Sequence, residues 1–253
     1  HQKAKAKEAE GDVVDCRLAA RDSHAPQLPM AGEPLPMSEV ATARDRLAAD
    51  LSPGSPRDTT LAWIDRHWRP GATVHSAFAD GIAELLEPLG IACLDATAPR
   101  IKSAQRLLIG TALRLTDQLD AALAALPEAD AWVGAGEGLS LVFLEAIAGR
   151  DRLVRDGDGF RTLRSGERFT SGELQQLLDA EPSRFSANVL LRPIVEAALL
   201  PTVAYVAGPG EHRYLTRQAA VLYPMLEVSP QPPVPRWSGS VIDPVSQRLL
   251  DRL

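Results

Sequence analysis

The sequence predicts an α/β fold in which a parallel-sheet core carries a small antiparallel β insertion, and three patterns lead to this prediction. An amphipathic helix at residues 73–89 runs through Gly90 into a buried apolar run at 91–95, the alternation expected of an α/β sheet. A second apolar run, at 202–207, breaks at a Gly-Pro-Gly corner and becomes helical at once. Between them, after Pro127, short β-type runs alternate with turn sequences.

The first part of the chain, residues 1–126, is predicted to be mostly helical. Pro99 lies where the first turn of a helix tolerates proline, and Pro127 ends that helical pattern. We expect, in order, a polar arm at 1–12, a short strand at 13–18, a loop at 24–38, helices at 38–51, 58–68 and 73–89, a strand at 91–95 and a long helix at 99–126.

Residues 127–184 have the sequence pattern of an insertion built from hairpins. Its expected strands lie at 131–135, 139–145, 152–155 and 160–163, separated by glycine-containing turns. Thr170 and Glu173 have capping-box spacing, in which the hydroxyl accepts from an early amide and the carboxylate reaches back. A short helix should therefore begin after Thr170 and close the insertion.

The α/β pattern resumes in residues 185–243. Proline and glycine mark the starts of its helices and the ends of its apolar runs. We expect a helix at 193–200, a strand at 202–207, a helix at 210–226, an extended segment through 233–236 and a further helix from Pro244 to the end of the sequence.

Composition and charge exclude several classes of function. The chain has 253 residues and a formal net charge of −6, without the clustered Lys and Arg that neutralise nucleic-acid phosphates. Cys16 and Cys93 show neither metal-ligand spacing nor a disulfide framework, which favours the reducing cytoplasm. No apolar run reaches the roughly 18 residues of a membrane span. No metal site is expected, because His67 and His75 belong to no ligand-type spacing.

The candidate site is the corner at Gly208, Pro209 and Gly210. A strand that feeds a helix through such a corner directs backbone N–H groups and the positive end of the helix dipole at the sheet edge, where anions bind. The glycines could equally serve only to make a sharp turn. Glu211, in the first helical turn, could serve only to complement the helix dipole.

Further candidates flank this corner. Asn188 and Arg192 lie four residues apart, at helical spacing, and Arg192 could form a bidentate fork for a carboxylate. Their alternative roles are helix capping for Asn188 and a solvated or structurally paired position for Arg192. The remaining candidate binding residues are Tyr205, Tyr214, Arg236 and Ser238.

Three ordered stretches are similar to the motifs of a known family. They are Ser186-Ala-Asn-Val-Leu-Leu-Arg-Pro-Ile-Val195, Leu200-Pro-Thr-Val-Ala-Tyr-Val-Ala-Gly-Pro-Gly-Glu211 and Pro235-Arg-Trp-Ser238. In this order they resemble the core motifs of BshC, the cysteine-adding enzyme family of bacillithiol biosynthesis, and a weaker similarity extends over residues 69–185. The resemblance implies a Rossmann-like core with a connecting insertion and a helical coiled coil after the core.

The resemblance also implies an activity. Members of the family join L-cysteine to glucosaminyl-malate through an amide bond, so we expect a carbon–nitrogen ligase with these two substrates. Glu211 is then the expected catalytic residue, since it could hold an ammonium group or take its proton. Arg192 would bind a carboxylate of glucosaminyl-malate. The family layout alone suggests ATP or ADP, and the coiled coil suggests a homodimer.

The predicted organisation follows from the same resemblance. Residues 1–126 and 185–243 form the two parts of the Rossmann-like core, 127–184 form the insertion, and 244–253 start the coiled coil. The upstream strands of the core, with a Gly-Gln-Gln motif, are not found, so we expect the sequence to be a fragment. The alternative hypothesis is therefore a catalytically incomplete fragment or a non-catalytic binding domain. A nucleotidyl-transfer enzyme is a third option that rests on layout alone.

Overall fold

The computed structural model describes residues 34–240 except 148, together with 242, 247, 248 and 250–252. The chain divides into two compact units, His1–Leu94 and Asp95–Leu253. The predicted polar arm and the strand at 13–18 lie outside the described residues, as does half of the expected coiled-coil start at 244–253. Among the helices of the described part, none is long and apolar enough to cross a membrane.

The first unit contains three helices where the sequence predicts them. They are α1 (Met37–Asp50), α2 (Ser55–His67) and α3 (Val74–Leu86). Thr73 caps α3, because its side chain accepts from the Ser76 N–H and the Ser76 hydroxyl accepts from the Thr73 N–H. Gly81 lets α2 and α3 approach closely, since a Cβ at this position would lie 2.7 Å from the Trp63 ring.

The predicted strand at residues 91–95 is wrong, because the structure gives these residues no strand or helix. A strand persists only when its backbone groups pair with a neighbour. Within the described residues no strand pairs with this segment, and Ile91 and Leu94 are about half exposed. An apolar run is thus not sufficient to make a strand without a partner.

In the second unit, two predicted long helices are each broken in two. The helix expected at 99–126 is α4 (Pro99–Arg114) and α5 (Thr116–Ala124). At the break, the buried Thr116 hydroxyl donates to the carbonyls of Ala112 and Leu113, which competes with the regular helical pattern.

The largest sheet in the described part of the molecule is antiparallel and has five strands. Its strands are β1 (Leu139–Ala146), β2 (Gly149–Asp156), β3 (Gly159–Thr162), β4 (Arg168–Thr170) and β5 (Phe185–Ala187), in the order β4-β3-β2-β1-β5. The helix α6 (Ser171–Ala180) follows β4, and both hydrogen bonds of the predicted Thr170–Glu173 capping box are formed. The predicted antiparallel hairpins therefore form, and the sheet also includes β5, which lies beyond the predicted boundary of the insertion.

Parallel pairing is much more limited than the sequence predicts. The remaining elements are α7 (Arg192–Leu199), β6 (Tyr205–Ala207), α8 (Pro209–Thr216), α9 (Gln218–Met225) and β7 (Pro233–Pro235). Only β6 and β7 pair in parallel among the described strands, with Tyr205 opposite Pro233. The helix expected at 210–226 is interrupted at Arg217. The fold is mixed α/β, and an extended parallel-sheet core is not confirmed.

The core of the second unit lies between the antiparallel sheet and its helices. Many of its fully buried members come from α4, α5, β1, β5, α7 and the segment that leads into α7. They include Ile109, Leu119, Leu144, Phe185, Leu191 and Ile194. Burial of each such side chain stabilises the fold by roughly 1.5–3 kcal/mol. This core fixes the positions of β5 and α7, which carry several of the candidate site residues.

The predicted strand at residues 131–135 is also absent, and a glutamine side chain explains why. Gln218, which is fully buried, accepts from the N–H groups of Trp132 and Val133 at 3.0 Å each. Its amide nitrogen donates to the Val133 carbonyl at 2.9 Å. Gln218 thereby satisfies the backbone groups that a neighbouring strand would otherwise satisfy.

Replacing Gln218 with Ala should lower the free energy of unfolding by about 3 kcal/mol, because it leaves two N–H groups and one carbonyl without their partner. Chemical denaturation of the purified chain measures this effect. Gln175→Ala is the matched control, since Gln175 bonds only to the exposed Asp179; its effect should stay within about 0.5 kcal/mol. Equal effects of the two substitutions would show that Gln218 does not hold this segment.

Candidate functional site

The predicted corner between a strand and a helix is present at Gly208. The backbone is extended through β6 and at Gly208 (φ −68°, ψ 167°), and α8 begins at Pro209. The His212 N–H donates to the Gly208 carbonyl at 2.8 Å, which closes the first helical turn. Gly208 is buried, whereas Pro209 and Gly210 are exposed. The helix start therefore faces the surface, as a binding site requires.

The corner does not leave all of its amides free, contrary to the expectation of unpaired N–H groups. The Gly208 N–H donates to Glu211 Oε2 at 2.8 Å. Glu211 therefore makes the capping contact of a residue in the third position of a helix. The carboxylate of Glu211 therefore lies at the corner, where it could hold a cation or an amine.

Arg236 joins this corner from the neighbouring strand. Its backbone N–H donates to the Ala207 carbonyl at 2.7 Å, directly after β7. A Cβ placed on Gly208 would lie 2.9 Å from Arg236 Nη2 and 3.3 Å from Glu211 Oε2. The absence of a side chain at Gly208 thus allows a guanidinium and a carboxylate to approach the same point.

Two tyrosines connect the corner to α7. Burial, with smaller contributions from Tyr214, Glu196 and Glu211, raises the pKa of the Tyr205 phenol to about 12, although Arg192 opposes the shift. Burial also raises the pKa of Tyr214, with Glu211 in the same direction and Arg192 opposed. Glu211 and Arg192 therefore both lie within electrostatic range of the two phenols.

Asn188 and Arg192 lie on the turn that leads into α7. The Asn188 side-chain oxygen accepts from the N–H groups of Leu190 and Leu191 at 3.0 and 2.9 Å. This is the capping role considered as an alternative, and it directs the start of α7. The Arg192 N–H donates to the Asn188 carbonyl at 3.0 Å, and the Arg192 side chain is exposed.

Ser238 is the one predicted site residue that no described contact connects to the corner. It is exposed in the segment after β7, and the neighbouring Trp237 ring is also exposed.

Comparison with known proteins decides the family. Residues 6–236 match the family model described as "Bacillithiol biosynthesis BshC, N-terminal Rossmann-like domain". The chain belongs to the BshC family. The resemblance seen in the three motifs is thereby confirmed, and a Rossmann-like domain is established for the chain.

Three related proteins are each named "Putative cysteine ligase BshC". One from Koribacter versatilis (strain Ellin345) is 34% identical over 202 residues, which cover 77% of this chain and 37% of the relative. One from Salinibacter ruber (strain DSM 13855 / M31) is 29% identical over 213 residues, or 82% of this chain and 39% of the relative. One from Heliobacterium modesticaldum is 40% identical over 100 residues, or 40% of this chain and 18% of the relative. The chain thus spans less than two fifths of the length of these relatives.

Sequence reasoning missed three charged residues of this BshC chain that lie near the predicted ones. Glu196 lies one helical turn after Arg192, and burial raises the pKa of its carboxyl while Arg192 opposes the shift. Lys102, in α4, and Arg150, in β2, repel one another, and Arg150 also repels Arg192. The spacing of Glu196 from Arg192 was a visible signal. Lys102 and Arg150 gave none, because only the folded chain brings them together.

Other polar features of the described residues lie apart from this site. A surface depression of about 720 Å³ is lined in part by His67, Glu84 and Cys93, where the His67 ring nitrogen lies 2.6 Å from Glu84 Oε2. It contains none of the predicted site residues. Within the described part of the chain, no three His, Cys, Asp or Glu side chains are grouped as metal ligands would be.

Proposed function

We propose that this chain is part of a cysteine ligase that joins L-cysteine to the amine of glucosaminyl-malate in bacillithiol biosynthesis. The observation that carries the proposal is the gathering of three separate motifs at one place. Arg192, Glu211 and Arg236 come from different stretches of the sequence, yet Tyr205, Tyr214 and Gly208 connect them in the fold. The names of the relatives support the same activity.

The roles that we assign are binding and proton transfer at the amine. An amine attacks a carbonyl carbon only in its neutral form, so the ammonium group must first lose a proton. Glu211 is placed to hold the ammonium and accept this proton, with Oε2 fixed by the Gly208 N–H. The acyl donor would be a cysteine carboxyl that carries a leaving group such as phosphate, which departs with one carboxyl oxygen as the C–N bond forms. Arg236 lies at the same point as a cation and can stabilise negative charge that develops on the carbonyl oxygen.

The nucleotide suggested by the family layout is given no role at this corner. The Gly208 N–H is bound to Glu211 Oε2, and this carboxylate would repel a phosphate, whereas the Arg236 guanidinium at the same point would attract one. We therefore assign no step at the corner to ATP or ADP.

Incubation of the full-length protein that contains this chain with L-cysteine and glucosaminyl-malate tests the proposal. Mass spectrometry should detect the cysteinyl amide, in assays run both with and without ATP. If glucosaminyl-malate raises the melting temperature but no amide forms under either condition, the protein is a binding domain and the ligase proposal fails.

Gly208→Ala should reduce ligation by about 10-fold because the new methyl group displaces the Arg236 guanidinium from the corner. The backbone angles at Gly208 suit alanine, so the unfolding free energy should change by less than about 1 kcal/mol. Gly210→Ala is the matched control, since a Cβ there would have no neighbour within 4 Å. Equal ligation rates for the two variants would remove Arg236 from the mechanism.

A further inference from the structure

Two cationic side chains are held along β5. Lys102 Nζ donates to the Phe185 carbonyl at 2.8 Å. Arg150 Nε donates to Ser186 Oγ at 2.8 Å, and its Nη2 donates to the Ala187 carbonyl at 3.1 Å. Three successive residues of one short strand therefore fix the positions of an ammonium and a guanidinium.

Arg192 continues this series of cations beyond the end of β5. It starts α7, one turn after Asn188, and is close enough to Arg150 for the two charges to repel. Within the described part of the chain, the Arg192 guanidinium has no hydrogen-bond or ion-pair partner. Its donors therefore remain available to a ligand.

The three cations are incompletely neutralised by the protein. Burial lowers the pKa of Lys102, and repulsion from Arg150 lowers it further, although Glu145 and Asp95 oppose this. Burial likewise lowers the pKa of Arg150, and repulsion from Arg192 adds to the effect. Among the described residues, no carboxylate lies within 4 Å of any of these three side chains. A bound anion would relieve the repulsion.

Asn188 adds an unsatisfied donor at the same strand end. Its side-chain oxygen is used by the turn into α7, but its buried Nδ2 has no acceptor among the described residues. A buried donor without an acceptor is costly, and native structures contain few of them. A carboxylate oxygen beside Asn188 would satisfy it.

We propose that Lys102, Arg150 and Arg192 bind the two carboxylates of the malyl group of glucosaminyl-malate. The inference rests on the proposed function for the identity of the ligand. A dicarboxylate needs more than one cation. The Arg192 guanidinium offers its whole fork, and Lys102 and Arg150 offer the donors that they do not use at β5. The substrate then lies with its malyl end at β5 and its amine at Glu211.

The Michaelis constants of the full-length protein test this assignment. Lys102→Gln keeps a donor for the Phe185 carbonyl but removes the charge, and Arg150→Gln removes the second charge. Each should raise KM for glucosaminyl-malate by about 10- to 100-fold, the range for loss of a charge-assisted hydrogen bond. KM for L-cysteine should not change, and Arg150→Lys should recover part of the affinity. Arg106→Gln is the control on the same helix, since Arg106 is paired with Asp179 at the surface.

Unchanged KM values in both charge-removing variants would overturn the assignment, as would an equal rise in KM for L-cysteine. Calorimetry with glucosaminyl-malate separates this result from failure of the proposed function. The protein could bind glucosaminyl-malate without ligating it. If Lys102→Gln then weakens binding about 10-fold or more, the dicarboxylate site is supported and the ligase proposal is rejected. If the wild-type protein does not bind glucosaminyl-malate, the dicarboxylate site falls as well.

Discussion

Replacing Glu211 with Gln is expected to lower the ligation rate of the full-length protein by about 10²- to 10⁴-fold, the usual effect of removing a general base. The amide oxygen of Gln can still accept from the Gly208 N–H, so the start of α8 should remain intact. Glu211→Ala should lower the rate similarly and also destabilise the fold by about 0.5–2 kcal/mol, because it removes the capping contact. Steady-state kinetics and thermal denaturation of both variants measure the two effects separately.

Glu173 provides a matched control for this experiment. It occupies the same position in α6 as Glu211 does in α8, and its Oε2 accepts from the Thr170 N–H at 2.8 Å. Glu173→Gln should leave ligation unchanged. If Glu211→Gln retains full activity, Glu211 is only a cap, and the proton must be taken by another group.

Leu191→Ala is expected to lower the free energy of unfolding by about 3–5 kcal/mol, because it opens a cavity at a fully buried position in the core. Leu191 directly precedes Arg192, so the variant should also loosen the start of α7. Urea denaturation of the purified chain measures the change. Leu107→Ala makes the same substitution at a side chain that is 76% exposed, and its effect should stay within about 0.5 kcal/mol. A similar loss in both variants would mean that the core is not where the structure places it.

Local signals in the sequence predicted much of the fold. The capping box at Thr170 and Glu173 formed as expected, since both partners lie within one helical turn. The hairpins at 139–163 formed because their turn sequences determine local chain reversal. The abrupt change from strand to helix at Gly208 is also local, and it too was predicted correctly.

The wrong predictions depended on distant partners. The apolar run at 91–95 has the composition of a strand, but pairing decides whether a strand forms, and no described strand pairs with it. The run at 131–135 bonds instead to Gln218, more than 80 residues away. The two broken helices are a separate case. The breaks at Thr116 and Arg217 depend on the local backbone conformation, which helical periodicity does not reveal.

The same distinction between local signals and distant partners applies to the residues of the candidate site. The residues predicted from sequence, Asn188, Arg192 and Glu211, lie in compact motifs whose order could be recognised. Lys102 and Arg150 lie in ordinary helix and hairpin sequence. Only the packing of α4 against β5, and the reach of the Arg150 side chain from β2 to β5, bring them near Arg192. Charge clustering of this kind is a property of the tertiary fold, so no spacing rule could have found it.

Isothermal titration of glucosaminyl-malate into the full-length protein and its Arg192→Gln variant tests the central claim most directly. The exposed position of Arg192 makes the substitution compatible with the fold. If Glu211 and Arg192 belong to one substrate site, the variant should bind glucosaminyl-malate about 10- to 100-fold more weakly than the wild-type protein does. Equal affinity of the two proteins would contradict the account, because the substrate would then bind elsewhere.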